Sequence, residues 1–251
     1  MFEPMWIAIS TYSVFPAPPA DWNERNLRFS LCFLPLVGAL VGLALWGWGW
    51  AARALAVDGV LFAALATALP LLLTGGIHMD GFLDTVDALA SHQSKEKKLE
   101  ILKDSHVGAF AVIYCGVYLL VAFGLYHALF QGNSLPVACL GFILSRALAA
   151  LGAVTLPNAR KEGILCAFTQ HAHRRAALLS MGAVALLSMG AMAWVSPMAG
   201  GIGAAFGLAA FAAYRAMVKK QFGGATGDTT GFFLQACELA VLGGAWIGGL
   251  L

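Results

Sequence analysis

Charge is scarce in this chain. Of 251 residues, 13 are acidic and 15 basic, 11% in all, while 60% are hydrophobic and the mean hydropathy is +0.78. A soluble domain carries about 25% charged residues. The shortage excludes an ordinary water-soluble fold and points to a polytopic membrane protein. A concentrated basic patch is also missing: the net charge is +2 and most basic residues sit in short loops, so no nucleic-acid partner is expected. The five cysteines (Cys32, Cys115, Cys139, Cys166, Cys237) are scattered and form no CxxC pair. That excludes a zinc ribbon or a disulfide framework and leaves them as small core residues. Glu3 and Pro4 occupy the place of a basic leader segment, and Ala17-Pro18-Pro19-Ala20 gives only a faint likeness of a cleavage site.

What is present is a series of apolar stretches of about 20 residues, the length that crosses a bilayer. The spans are predicted at roughly 30–50, 59–76, 108–130, 135–157, 176–195, 198–218 and 229–251. The first ends in Trp46, Trp48 and Trp50, an aromatic anchor. Residues 5–15 are apolar but too short to span and read as an interfacial or re-entrant helix, ended by Pro16-Ala17-Pro18-Pro19. A short charged helix is expected over 94–104, and a loop over 158–175. Seven spans place 13 of the 15 Lys and Arg on one face; only Arg53 falls in the opposite loops, and Arg146 lies within a span. By the positive-inside rule the N-terminus is cytoplasmic. The expected fold is all-α: a polytopic membrane helical bundle of about seven transmembrane helices, an N-terminal interfacial helix and short cytoplasmic helices. Residues 1–251 read as a single integral-membrane domain in a lipid bilayer.

One stretch organises the rest: Thr74-Gly75-Gly76-Ile77-His78-Met79-Asp80-Gly81-Phe82-Leu83-Asp84-Thr85-Val86-Asp87. Three of the seven aspartates lie here at i, i+4 and i+7, within about 60° of one another on a helix. Such a stack repels itself. No Lys or Arg lies between Arg53 and Lys95, so the neutralising partner is either distant in sequence or a metal ion. All-oxygen ligands suit Mg²⁺ or Mn²⁺. A solvated acidic helix end is the plainer alternative.

Two further polar clusters fall on the same face. Lys103-Asp104-Ser105-His106-Val107-Gly108 precedes the third span, with Asp104 or Ser105 as the expected N-cap. Gly223-Gly224-Ala225-Thr226-Gly227-Asp228-Thr229-Thr230-Gly231 precedes the last, with Asp228 or Thr229 as the expected N-cap. Glycine-rich entries to helices offer backbone N–H groups to phosphate. The lysine of a Walker loop is absent. Aspartates beside such a segment suggest metal-assisted phosphoryl or phosphodiester transfer. Within the bilayer, Arg146 and Glu238 stand near the middles of their spans, where ionisable groups are costly and usually paired. His171 and His173 share a face only if their stretch is extended.

With these motifs, the chain resembles the cobalamin-5'-phosphate synthase family, also called adenosylcobinamide-GDP ribazoletransferase. The resemblance rests on the 74–87 stretch, Lys103-Asp104-Ser105-x-x-Gly108, and Gly223-Gly224-Ala225-Thr226-Gly227-Asp228-x-x-Gly231 with Glu238, in order across nearly the whole chain. Ser145-Arg146 and the N-terminal apolar stretch before the prolines fit as well. The chain departs from the family's usual residues at Met79, Ala88, His106 and Phe232, none of them a carboxylate.

The resemblance implies Mg²⁺ as cofactor and the bacterial cell inner membrane as location. It implies adenosylcobinamide-GDP and α-ribazole, or its 5'-phosphate, as substrates. Asp80, Asp84, Asp87 and Asp228 are then the metal ligands and catalytic carboxylates, Asp228 or His78 serving as base. Lys103, Asp104, Ser105, Gly223, Gly224, Thr226 and Gly227 bind phosphate or position substrate. A homo-oligomer is compatible with all this. A CDP-alcohol-phosphotransferase-like enzyme is one alternative, although Phe82-Leu83 follows the first Asp-Gly where Ala-Arg is usual there. A secondary transporter with broken helices is the other.

Overall fold

The computed structural model describes residues 2–132 and 134–251. Among them the regular structure is helical: α1 (Glu3–Tyr12), α2 (Glu24–Ser30), a 3-10 turn (Leu31–Phe33), α3 (Leu34–Ala54), α4 (Gly59–Leu73), α5 (Ile77–Ala90), α6 (Lys95–Ile101), α7 (Ala109–Gln131), α8 (Leu135–Thr155), α9 (Ile164–His171), α10 (Arg174–Val195), α11 (Pro197–Gln221) and α12 (Gly227–Gly249). The only pairing of extended backbone among these residues is an isolated bridge between Asn158 and Ala225. Local chemistry sets many of the starts. Proline stands in the first turn of α1, α3, α8 and α11, where its missing N–H costs nothing. Asp58 accepts from the Val60 N–H at 2.8 Å, and Ser94 accepts from Lys97 N–H, capping α4 and α6.

Among the described residues six helices are long and apolar enough to cross a membrane, the first running from Glu24 to Ala54 through the 3-10 turn. The protein is a multi-pass helical bundle. The second expected span differs from its prediction. α4 has 15 residues, about 22 Å of helix against a hydrocarbon core of about 30 Å, and it stops at Leu73. α5 then departs at 92°. Gly75 (φ +62°) and Gly76 (φ +76°) make this turn in the left-handed region that glycine enters without steric cost. α4 alone falls short of a full crossing, and the described residues hold seven spans only if it is counted together with α5. The 158–175 loop also departs from expectation: it contains the amphipathic helix α9, which buries Leu165, Cys166 and Phe168.

α8 and α12 are the most enclosed of the long helices, while α7, α10 and α11 turn more of their surface outward. α12 packs on α11, α5, α8 and α7; α8 packs on α3 and α10. Outward side chains such as Trp50, Leu120, Leu187 and Trp194 are largely exposed, as an apolar belt in lipid requires. The cysteines are all free; Cys139, Cys166 and Cys237 are buried.

The expected intramembrane pair is present. Arg146 and Glu238 form an ion pair across α8 and α12, 1% and 5% exposed. Arg146 also donates to Ser145 Oγ at 3.0 Å, and Ser145 donates to Glu238 at 3.4 Å. Removing one member leaves a charge in hydrocarbon, which costs about 3–5 kcal/mol. Arg146→Leu alone should collapse detergent stability, and Arg146→Leu with Glu238→Leu should recover most of it in a double-mutant cycle read by thermal unfolding. Additive losses in that cycle would remove the coupling.

Candidate active site

α5 lies against the start of α12 because two glycines let the backbones touch. A Cβ on Gly81 would sit 2.6 Å from the Asp228 carbonyl oxygen and 2.9 Å from its Cα. A Cβ on Gly231 would sit 3.0 Å from the His78 carbonyl oxygen. At this spacing Gly81 excludes any larger side chain, and Gly231 leaves room for one only if its neighbour gives way. Around them, Phe82 stacks on Phe232 with ring centroids 5.5 Å apart and leans on Tyr118 at the same distance. His78, Met79, Phe82, Thr85 and Val86 fill the buried face of α5, so Asp80, Asp84 and Asp87 line the other face. The 2-turn aspartate repeat and the α12 aspartate are thereby brought together.

The four carboxylates do not have equal surroundings. Asp80 and Asp228 line a cavity of 340 Å³ with His78, Arg160, Thr226 and Gly227. Asp84 and Asp87 line a second cavity of 370 Å³ further along α5, with Asp104, His106 and Gly108. Asp87 accepts from Gly108 N–H at 2.6 Å and Ala111 N–H at 2.9 Å. It thus caps α7 from another helix, whatever else it ligates. The expected N-caps Asp104 and Ser105 are displaced: Gly108 holds the cap position, and its missing side chain makes room for the Asp87 carboxylate. Asp104 instead accepts from His106 N–H at 3.0 Å and meets His106 Nδ1 at 2.6 Å; those bonds hold its carboxyl below the usual range.

Lys103 and Ser105 are exposed and lie outside the linings of both cavities, as do Gly223 and Gly224. Thr226, and not Asp228 or Thr229, is the N-cap of α12: its hydroxyl accepts from Thr229 N–H at 3.1 Å while Thr229 Oγ1 accepts from Thr226 N–H at 2.9 Å. This capping box leaves the Asp228 side chain free to face the cavity. His78 is buried, its Nε2 has no hydrogen-bond partner, and burial pushes its pKa well below the usual histidine range. His173 caps α10 and stacks on Phe29.

Arg160 is the residue that spacing did not single out. It belongs to a loop cluster with Lys161 and Glu162, and nothing in sequence separates it from Lys161. The separation is made by a backbone pairing: Ala225 N–H donates to Pro157 O at 2.8 Å, and Ala159 N–H donates to Ala225 O at 2.9 Å. Arg160 follows directly and is carried to Asp228 Oδ2 (3.1 Å), its other arm donating to Leu99 O at 3.1 Å. Its Nε is buried without a partner.

One arginine does not balance this charge. Asp84 is pushed up to about 7, first by burial and then by Asp80, Asp228 and Asp87, with Arg160 opposing. The excess negative charge asks for a cation, and the donors are all oxygen, the set that Mg²⁺ takes. Among the described residues no three His, Cys, Asp or Glu side chains converge on one point. That also fits Mg²⁺, which commonly uses one or two carboxylates and fills its shell with water and substrate phosphate. Asp80, Asp84 and Asp228 are the residues from which one or two such carboxylates could come.

The raised Asp84 pKa makes a sign-definite expectation. The folded state keeps this proton up to about pH 7, while an ordinary carboxyl loses it near 3.8. The group therefore costs stability increasingly as pH rises between those values. In chelator, Asp84→Asn should match the parent in Tm near pH 4 and exceed it by about 2–4 °C near pH 8, the size being limited by the group's partial exposure. An advantage that shrinks with rising pH would contradict the charge crowding.

These features define a polytopic helical membrane protein with a carboxylate site where α5 meets the start of α12. A family model described as Cobalamin-5-phosphate synthase matches residues 4–246. Among similar curated proteins, the Adenosylcobinamide-GDP ribazoletransferase of Lachnoclostridium phytofermentans is 42% identical over 94% of this chain and 90% of its own length. The enzyme of that name from Desulfitobacterium hafniense is 35% identical over 96% of both chains. That from Pseudomonas fluorescens is 32% identical over 96% of this chain and 98% of its own. No solved structure matches. The chain belongs to the Cobalamin-5-phosphate synthase family and is a membrane transferase of cobalamin biosynthesis.

Proposed function

We propose that the chain transfers the cobinamide-phosphate group of adenosylcobinamide-GDP to α-ribazole or its 5'-phosphate, releasing GMP and forming adenosylcobalamin or its 5'-phosphate. The observation that carries this reading is the meeting of Asp80 of α5 with Asp228 and Arg160 around one cavity, with Asp84 close enough to feel the charge of all three. A ribazole hydroxyl enters the cavity and attacks the phosphorus bearing the cobinamide. The bond from that phosphorus to the bridging oxygen breaks, and GMP leaves with the oxygen. The hydroxyl proton passes to Asp228, whose carboxylate Arg160 releases as it turns to the incoming diphosphate.

Arg160 and the N–H groups at the start of α12 receive phosphate oxygens, adding a helix N-terminus to one guanidinium. Mg²⁺ held by Asp80, Asp84 and Asp228 would neutralise diphosphate charge and stabilise the leaving phosphate. The bacterial inner membrane and a cytoplasmic N-terminus complete the proposal, on the strength of the basic-residue asymmetry. A transporter reading fits less well. The ionisable groups near the bundle's middle are closed into the Arg146–Glu238 pair, and the carboxylates stand at an end.

With purified protein, adenosylcobinamide-GDP, ribazole and Mg²⁺, GMP release should be observed without any sealed vesicle. Asp80→Asn, Asp84→Asn and Asp228→Asn should each lower kcat by about 10²–10³-fold, with expression intact. Arg160→Ala should chiefly raise the donor KM at fixed Mg²⁺. Near-parental rates for all three Asn variants at low Mg²⁺ would end the claim that this site is catalytic. For orientation, reporters fused at Lys98 and after Leu251 should read opposite sides, cytoplasmic at Lys98; both on one side would sink the odd number of crossings.

A further inference from the structure

Arg160 is held at two points. The pairing of residues 157–159 with Ala225 places its backbone. One arm of its guanidinium donates to Leu99 O at 3.1 Å while the other meets Asp228. Leu99 lies in α6, a helix of 7 residues, too short to be stable by itself. Something must therefore fix α6 before its carbonyl can fix an arginine.

Two contacts do so. Leu102, just past the end of α6, packs with Ala88 of α5 and with Phe222 in a small apolar cluster. One turn before Leu102, on the same face, stands Lys98, only 5% exposed. A buried ammonium is costly without a partner, and no ion pair among the described residues includes Lys98. Its Nζ donates instead to Gln221 Oε1, on the last residue of α11. A helix C-terminus favours a nearby cation. An apolar side chain would serve packing alone; the ammonium adds a tie between α6 and α11.

The two anchors close into one circuit. Beyond Gln221 and Phe222 the chain turns at Gly223, and Gly224 runs so close to Pro157 that a Cβ there would collide with its carbonyl oxygen. Ala225 then pairs with residues 157–159, and Arg160 follows. Its arm reaches Leu99 O, and the neighbouring Lys98 returns to Gln221. Backbone and guanidinium of Arg160 both hang from the end of α11.

We propose that Lys98 and Gln221 are positioning residues for Arg160, acting through the Leu99 carbonyl. The Leu99 arm stays fixed while the Asp228 arm is exchanged for a donor phosphate oxygen, so the guanidinium meets the diphosphate already oriented. Lys98 and Gln221 themselves lie outside the linings of both cavities. This assignment rests on the transferase reading above and adds what holds its phosphate-binding arginine.

The kinetics of the purified full chain test it. Lys98→Met and Gln221→Leu should each raise the donor KM about fivefold or more, with kcat and the acceptor KM within about twofold of the parent. The exchange Lys98→Gln with Gln221→Lys rebuilds the bond with its ends reversed and should return the donor KM to within about twofold. In an Arg160→Ala background neither single change should raise the donor KM further. Loss of active protein with both KM values unchanged would make the tie merely structural and overturn the proposal. A donor KM effect of Lys98→Met that persists without Arg160 would also overturn it, because the lysine would then act on phosphate by itself. Should Lys98→Met fail to fold, Gln221→Leu, at a half-buried position, decides by the same readings. Absence of GMP release from the parent would instead defeat the functional reading. Hydrogen exchange over residues 157–163 then judges the tie: faster in Gln221→Leu if it holds Arg160, and parental if it does not.

Discussion

The close contact between α5 and α12 is the constraint from which the site follows. Two helices normally stand 8–10 Å apart, yet here Gly81 and Gly231 let backbone meet backbone. That approach sets carboxylates from different parts of the chain against one another, a costly arrangement unless a cation joins them. The Gly75-Gly76 turn makes it geometrically available, because a straight continuation of α4 would carry the aspartates away from the start of α12. Phe82, wedged between Tyr118 and Phe232, then fixes the rotation of α5 so that its acidic face opens to the cavities.

The rest of the bundle serves this end. The Arg146–Glu238 pair ties α8 to α12, and α8 also supplies the alanines beneath the cavity. The Asn158–Ala225 bridge delivers Arg160 to Asp228, while Asp87 caps α7 and so fastens α5 to a third helix. Positive charge is admitted sparingly: one guanidinium faces Asp228, and Lys103 stays in solvent. A site already neutralised by lysines would have no need of a divalent ion and less pull on one.

Much of this was legible in the sequence, and the divide has physical causes. Long apolar runs and two lone intramembrane charges are local or compositional signals that kept their meaning in three dimensions, while the i, i+4, i+7 aspartates share one face of α5 but divide between two cavities. The bend after Leu73 was half legible: Gly75-Gly76 announced a break but not its angle. Asp87 as a cap on α7, and Thr226 in place of Asp228 as a cap, depend on which donor lies nearest after folding. Arg160 was hidden because its importance comes from a pairing between residues 157–159 and 225, some 66 positions apart. Tyr12 reaches the cavity from an N-terminal helix that composition marked only as interfacial. Helix α9 was concealed by its flanking charges, although its buried Leu165, Cys166 and Phe168 have helical spacing.

The claim at the centre is that α5 and α12 together hold one divalent cation. Electron paramagnetic resonance of Mn²⁺ titrated into the purified protein with pyrophosphate measures this directly. The expected result is a single class of bound Mn²⁺ in the parent, weakened by about tenfold or more in both Asp80→Asn and Asp228→Asn, one variant on each helix. Parental Mn²⁺ affinity in Asp228→Asn would contradict the account, because the two helices would then not share the ion.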